Sequence, residues 1–403
     1  MSHAFTGIHL LTKCAACAAP LPHTSAKQCS RCKTRYCGPA CQKQHWDGGH
    51  KDLCKRIKKG GGAEQYHADK KYKEALALAS EKCADDTKGQ TCYICTQSVH
   101  RHTKEGLVRM CACRGTAGFA HVSCLAEQAK ILYAEAEENN LGREATMQRW
   151  ERWARCSLCE QKYHGVVACA LGWACWKTYV GRPETDFARR CSMNVLSSGL
   201  EMMGRHEERL HILEAELVTE ISLGASESAI MSVRGNMAGC YEQLGRDLEA
   251  IAVLREMYEK RHLFRDPEAA FIAAINLADS LWPAGLFDEA KTVLRKTTPD
   301  AKARFGDDHD LTLSLRKKYA VCLYRDPGAS QADVHEAVAI FEDVHRRARR
   351  VFGAGHPDWR GLPMSLESAR KKLATFDKDD LEQTRKMLAE AAPFDSDCDI
   401  GVG

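Results

Sequence analysis

The side chains best able to do chemistry are cysteines and histidines, and they arrive in close pairs. Cys14 and Cys17, Cys29 and Cys32, Cys37 and Cys41, and His50 and Cys54 place eight ligands in 41 positions. A second set follows in Cys92 and Cys95, Cys111 and Cys113, His121 and Cys124, and Cys156 and Cys159. A CxxC turn brings two thiolates together, and i, i+4 spacing on a helix puts both members of a pair on one face, so each pair supplies half of a tetrahedral zinc site. Four pairs per set make two sites, which predicts zinc as the cofactor, with four ions in all. Every coordination place is then filled by protein, so these ions are structural, and a hydrolytic zinc centre with an open position is excluded. Spacing alone leaves the pairing open. His45, four residues after Cys41, competes with His50, although a Cys41 and His45 pair would leave an uneven ligand count.

The first set resembles the MYND zinc finger ligand for ligand, including Tyr36 before Cys37, Gln42 after Cys41, and His50-Lys51 before Cys54. The resemblance implies a cross-braced finger, with Cys14, Cys17, Cys37 and Cys41 on one zinc and Cys29, Cys32, His50 and Cys54 on the other. It also implies docking of short proline-containing peptides, with Trp46 and Gln44 on the helix bordering the groove. Trp46 serves equally well as packing for so small a core. The second set, with its CxC step, the seven residues before His121 and the two between His121 and Cys124, resembles the RING-CH (RING-variant) finger. Arg114-Gly115-Thr116, Phe119 and Leu125 also fit that family's loop. This resemblance implies Cys92, Cys95, His121 and Cys124 on one zinc, and Cys111, Cys113, Cys156 and Cys159 on the other. It further implies a ubiquitin ligase, which contributes no catalytic residue of its own but orients a charged ubiquitin-conjugating enzyme, with Ile94 at the gripping position. The sequence departs from that family at Gln128, where a Trp is usual, and at Glu160 and Gln161, where a basic residue is usual. The 31 residues between Cys124 and Cys156 exceed the commoner spacing, and Trp150 and Trp153 within them serve as zinc cover or as core.

Stepping along the chain gives the elements that must position these residues. Residues 1–60 form a cysteine-dense block with little helical period, as expected where metal holds the fold. After Gly60-Gly61-Gly62, helix-forming composition from Glu64 to Cys83, with Tyr72, Leu76 and Ala79 in phase, predicts a linker helix within 61–90. The second cysteine block spans 91–165 and is interrupted by the helix-prone LAEQAKILYAEAEENN. The longest apolar run, Val166 to Trp176, is too short to span a bilayer and predicts a buried helix.

Helical patterning then takes over, and it repeats. Asn236, Ala238, Tyr241, Gly245, Glu249, Ala250 and Leu254 recur as Asn276, Ala278, Leu281, Gly285, Glu289, Ala290 and Leu294, a period of 40. Leu200, Gly204, Glu208 and Leu213 keep the spacing upstream. Lys318, Ala320 and Leu323 begin a further copy, whose Glu336, Ala337 and Phe341 arrive late. Such self-similarity predicts stacked helix pairs with a continuous core, Ala at close helix contacts, and Gly at turns where a side chain would hold the helices apart. The pattern resembles tetratricopeptide repeats of the kinesin-light-chain type, with Phe305-Gly306-Asp307-Asp308-His309 and Phe352 to Pro357 as linking segments. That resemblance implies a right-handed solenoid with a protein-binding groove. The expected fold class is therefore multidomain: two small cross-braced zinc fingers, then an all-α tetratricopeptide-type solenoid over 166–375, and a terminal helix and disordered tail over 376–403.

Composition sets the outer bounds. The 58 Lys and Arg nearly balance the 54 Asp and Glu, so neither nucleic acid nor an anionic membrane is expected as the partner of the whole chain. Before Gly60, however, eleven basic residues face only Asp47 and Asp52, an excess partly offset by zinc-bound thiolates. The absence of a leader-like opening, and CxxC pairs accompanied by histidines among 21 cysteines, predict an intracellular protein, cytoplasmic or nuclear, rather than a secreted disulfide scaffold. A methyltransferase of the SET type, another home of MYND fingers, lacks room here for a cofactor fold. Two functions stand: a soluble ubiquitin ligase whose MYND finger and repeats recruit substrate, and a non-catalytic adaptor whose modules only bind protein partners.

Overall fold

A computed structural model of the chain describes residues 13–19, 21, 26–264, 266–353, 356 and 359–390. It divides into two compact units between Arg246 and Asp247.

The first unit opens with a minimal ribbon, β1 (Lys27–Gln28) antiparallel to β2 (Arg35–Tyr36), with Lys27 opposite Tyr36. Helix α1 (Pro39–His45) starts with Pro in its first turn, where the missing N–H costs nothing. The chain continues through a wider turn over Trp46–His50, bent at Gly49 with φ 114°, into α2 (Lys51–Lys59). Apart from cysteines, the buried core of this block is Leu21, Tyr36, Ile57 and Ala63. So few apolar side chains cannot offset the chain entropy of folding, which is why cross-links are needed.

Helix α3 (Ala63–Lys82) is more than a spacer. Its Ala68, Tyr72, Ala75, Leu76 and Ala79 are buried in one core with Cys92, Phe119, Cys124 and Cys156 of the second cysteine block. The same core includes residues of α4 (Val122–Glu138), α6 (Gly165–Tyr179) and α7 (Phe187–Glu201). The apolar run expected as a buried helix is α6, with Val167, Leu171, Trp173 and Cys175 at most 1% exposed. No helix among the described residues is long and apolar enough to cross a membrane. Helix α5 (Arg143–Trp150) delivers Trp150 and, just beyond it, Trp153 to an aromatic cluster, with Trp150 4.8 Å from Tyr133 and Trp153 5.8 Å from Tyr179. Their role here is core. Helices α6 and α7 touch backbone to backbone: a Cβ at Gly199 would stand 2.7 Å from the Ala168 carbonyl oxygen. Helices α8 (His206–Ser222) and α9 (Glu227–Gln243) complete the unit.

The second unit is all helix: α10 (Asp247–Glu259), α11 (Pro267–Leu281), α12 (Phe287–Phe305), α13 (Asp310–Arg325), α14 (Gln331–Phe352) and α15 (Leu362–Glu390). Each helix packs on the next, and α13 also touches α11 and α15, the pattern of stacked helix pairs. The repeat alanines Ala278, Ala290, Ala320 and Ala337 are completely buried, as expected at close contacts. The turn glycines have a different role from the one expected. Gly245 and Gly285 adopt φ of 66° and 80°, yet a Cβ at either would meet nothing within 4 Å. They provide the left-handed turn rather than clearance between helices. In the linking segment Phe305 stacks on His309 with centroids 4.5 Å apart. Helix α15 runs unbroken across position 375, and the tail expected to be disordered lies outside the described residues.

Candidate metal centres and an adjoining groove

Each of the four CxxC pairs is shaped by the same local device. The amide N–H of the residue after the second cysteine donates back to the carbonyl of the first: Ala18 to Cys14, Lys33 to Cys29, Thr96 to Cys92 and Glu160 to Cys156, at 2.8–3.0 Å. Those four residues all have left-handed φ, between 57° and 64°. The loop so closed turns both sulfurs to one side. In the second block, the amides of Ile94 and Leu158, at the same place in their pairs, lie 3.4 Å from the sulfurs of Cys92 and Cys156.

The eight pairs converge as four quartets: Cys14, Cys17, Cys37 and Cys41; Cys29, Cys32, His50 and Cys54; Cys92, Cys95, His121 and Cys124; and Cys111, Cys113, Cys156 and Cys159. Within each, all donor atoms lie within 4.8 Å of one another. A tetrahedron with Zn–S of about 2.3 Å has S···S edges of about 3.8 Å. The separations fit: Cys17 to Cys37 is 3.6 Å, Cys29 to Cys54 is 3.7 Å, and Cys113 to Cys156 is 3.7 Å. His50 turns Nε2 to within 3.3 Å of Cys32 Sγ, and His121 turns Nδ1 to within 3.3 Å of Cys95 Sγ. Burial, together with nearby His45, lowers the His50 pKa and holds its ring neutral, the form that ligates.

His45 has another position. Its Nδ1 is 3.0 Å from the Tyr36 hydroxyl, and its ring stacks on His50 at 4.6 Å, buttressing the quartet from outside. His121 lies at the start of α4, whose N-terminal amides, left without partners inside the helix, are partly capped by the buried Glu105: Ser123 N donates to Glu105 Oε1 at 3.0 Å. The thiols of one quartet hold protons very unequally. Burial raises the Cys14 pKa, but the amides of Cys17, Cys37 and Ala16 outweigh it and bring it down to about 6. Hydrogen bonding with Cys37 and Cys17 pushes Cys41 up to about 12. Four acids sharing so small a volume resist full ionisation unless a cation joins them, and these N and S donors are the set zinc takes.

Ile94 is 37% exposed and lines a groove of about 610 Å³ beside the third quartet, with His100, His102, Gln128, Ile131 and Leu132. Leu158 is 51% exposed, and the two loops are tied by a hydrogen bond of 3.0 Å between Tyr93 Oη and Ser157 Oγ. Sequence reading passed over Leu158 and Ile131. Leu158 has a local signal, since it occupies the position in its CxxC that Ile94 occupies in the other. Gln128 lies in the groove, and the Glu160 carboxylate accepts from Arg152 at 3.3 Å. Trp46 is half-buried on the small finger core, edge-on to His50 at 6.0 Å, while Gln44 is exposed.

Comparison with known proteins bears on these segments. Residues 14–54 match the MYND finger, and residues 329–358 match the tetratricopeptide repeat. Neither segment reaches Cys92–Cys159. No curated protein matches the chain. Among solved structures, an array of nearly identical TPR-like repeats from Podosopora anserina, named for kinesin light chain, covers 57% of this chain and 97% of its own at 17% identity, with a TM-score of 0.40. BtubC (BKLC) from P. vanneervenii covers 70% of this chain and 96% of its own at 12% identity, with a TM-score of 0.42. The chain is a zinc-finger N-terminal region followed by an all-helical, tetratricopeptide-like solenoid, a joining of protein-interaction modules.

Proposed function

We propose that this zinc-finger and repeat protein is a ubiquitin ligase of the RING-CH type, in which the second finger holds a ubiquitin-conjugating enzyme while the MYND finger and the repeat groove recruit substrate. The observation that carries the reading is the groove at Ile94, where exposed apolar side chains meet beside a closed quartet. A finger of this kind supplies no nucleophile. Ile94, with Leu158 from the matching loop and Ile131 from α4, grips the conjugating enzyme, and the rate gain comes from holding its thioester near a lysine. All sixteen ligands then serve four structural zinc ions, two in each finger, in a reducing intracellular compartment, cytoplasmic or nuclear. Metal analysis of the purified chain is expected to give close to four zincs; two or fewer would contradict this ligand set.

The functional test is self-ubiquitination in a purified mixture with a broad panel of conjugating enzymes. Zinc-dependent transfer, abolished by Ile94→Asp with zinc content unchanged, is the expected result, and no transfer across the panel sinks the reading. A specific observation favours the alternative of a non-catalytic adaptor. Gln128 puts a polar amide in the groove, and Glu160, a carboxylate, follows Cys159 where a cationic donor would restrain ubiquitin. Peptide capture that depends on Trp46 or the repeats, without any transfer, would identify the adaptor.

A further inference from the structure

Most cations of the opening finger stand apart from the ion pairs of the described residues; Lys13, paired with Glu214 at 2.9 Å, does not. Lys27, Arg31, Lys33, Lys43, Lys51, Lys55, Arg56, Lys58 and Lys59 are all exposed, and none of the nine has a carboxylate partner among the described residues. The helical part of the same unit behaves otherwise: Lys71 pairs with Glu208, Arg182 with Glu137, Arg189 with Glu64 and Arg209 with Glu201. The unpaired cations are also concentrated. Arg31 and Lys33 flank Cys32, and Lys51 and Lys55 flank His50 and Cys54. The donor atoms of that quartet lie within 4.8 Å of one another, so these four exposed residues adjoin in sequence the ligands of a single buried cluster. Along α2, Lys51, Lys55 and Lys59 recur every four residues, about 6 Å apart along the helix. Zinc does not remove the excess. Seven thiolates and two Zn²⁺ contribute about −3, and with Asp47 and Asp52 counted the block keeps about +6.

The chemistry of the face selects its partner. A protein interface of ordinary affinity needs apolar or aromatic anchors that become buried. On α2 the exposed large apolar side chain is Leu53 alone, at 38%. A phosphate backbone needs no such anchor, because its affinity comes from released counterions and its contacts carry no sequence information. We infer that the cationic face over Cys29, Cys32, His50 and Cys54 binds the phosphate backbone of a nucleic acid without sequence preference.

The test uses the full zinc-loaded chain and a labelled mixed-sequence RNA of about 20 nucleotides, followed by fluorescence anisotropy between about 50 and 200 mM salt. The expected plot of log K against log salt has a slope of about −3 to −4, from about five phosphate contacts at about −0.7 each. Replacing Lys51, Lys55, Lys58 and Lys59 together by Gln is expected to weaken binding at least about tenfold at low salt and to remove most of that slope, with zinc content unchanged. If that variant loses zinc, the pair Lys27→Gln and Arg31→Gln replaces it, with a slope shallower by about 1.4. Equal binding by parent and variant, or no binding at the lowest salt, overturns the inference. So does displacement of the RNA by poly-glutamate at equal charge, which would assign the face to an acidic protein instead.

Discussion

His45 and His50 stand five positions apart, His50 buried and His45 half-buried, and geometry gives them different work. His50 presents Nε2 to Cys32, whereas His45 bonds Tyr36 and stacks on its neighbour. His50→Ala is therefore expected to lower the zinc content by one ion relative to the parent on metal analysis. His45→Ala should keep the parent's zinc content and cost only about 1 kcal/mol in a thermal melt, the worth of one hydrogen bond and a ring contact. A different residue-scale effect belongs to Glu216 on α8, which is 7% exposed and has an unpartnered Oε2. Burial, helped by the nearby Glu220 charge, pushes its pKa up to about 7. A raised carboxylate pKa means that the folded state holds the proton longer. Stability is thus lost as pH rises from the unfolded value of 4.5 through about 7, and the loss is complete above that. Glu216→Gln removes this penalty, so the variant should match the parent near pH 4 and exceed it at pH 8 by up to about 3 kcal/mol. Denaturation at the two pH values, with zinc held in excess, measures the difference; an advantage that is constant with pH would contradict the assignment.

At the scale of elements, the contact between α6 and α7 is the most demanding. Gly172 faces Leu196 Cα, which a Cβ would meet at 3.0 Å, and Gly199 faces the Ala168 carbonyl, where the obstacle is again backbone. Gly199→Ala is expected to force the helices apart and destabilise by about 1–3 kcal/mol, against an ordinary gain from replacing a helical glycine. Chemical denaturation reads the sign directly. This crossing was not visible in the sequence, because the contact joins residues about thirty positions apart with no period between them. What the sequence did carry was local. Paired ligands sit on single tight turns, and repeat positions such as Ala250 and Ala290 recur at fixed spacing, so both could be found without partners. Ile131 escapes notice because an exposed apolar residue leaves no periodic trace, whereas the signal at Leu158 is its place in the CxxC turn. The packing of α3 is hidden from the sequence for a related reason: the Tyr72 hydroxyl meets Ser123 Oγ at 3.1 Å, a partner 51 residues away.

For the molecule as a whole, the consequence of these contacts is that the cysteine ligands of the second block and the helices of the first unit share one core. Cys92, Cys124 and Cys156 are buried among Tyr72, Trp153, Leu171 and Leu196, so the free energy of ligand binding by the second finger is also folding free energy for α3, α6 and α7. The second unit has its own core of Leu313, Phe341, Val344, Trp359 and Leu366, with no Cys and His quartet among its described residues. A strong zinc chelator should therefore act on more than the fingers and on less than the chain. Tryptophan emission should shift to the red as Trp150, Trp153, Trp173 and Trp176, each at most 6% exposed, meet water. The helical circular-dichroism signal should fall only in part, and what remains, from α10–α15, should still melt cooperatively. Complete loss of helix on chelation would mean that the second unit depends on the metal as well. An unchanged tryptophan spectrum would mean that the helical core of the first unit stands without it.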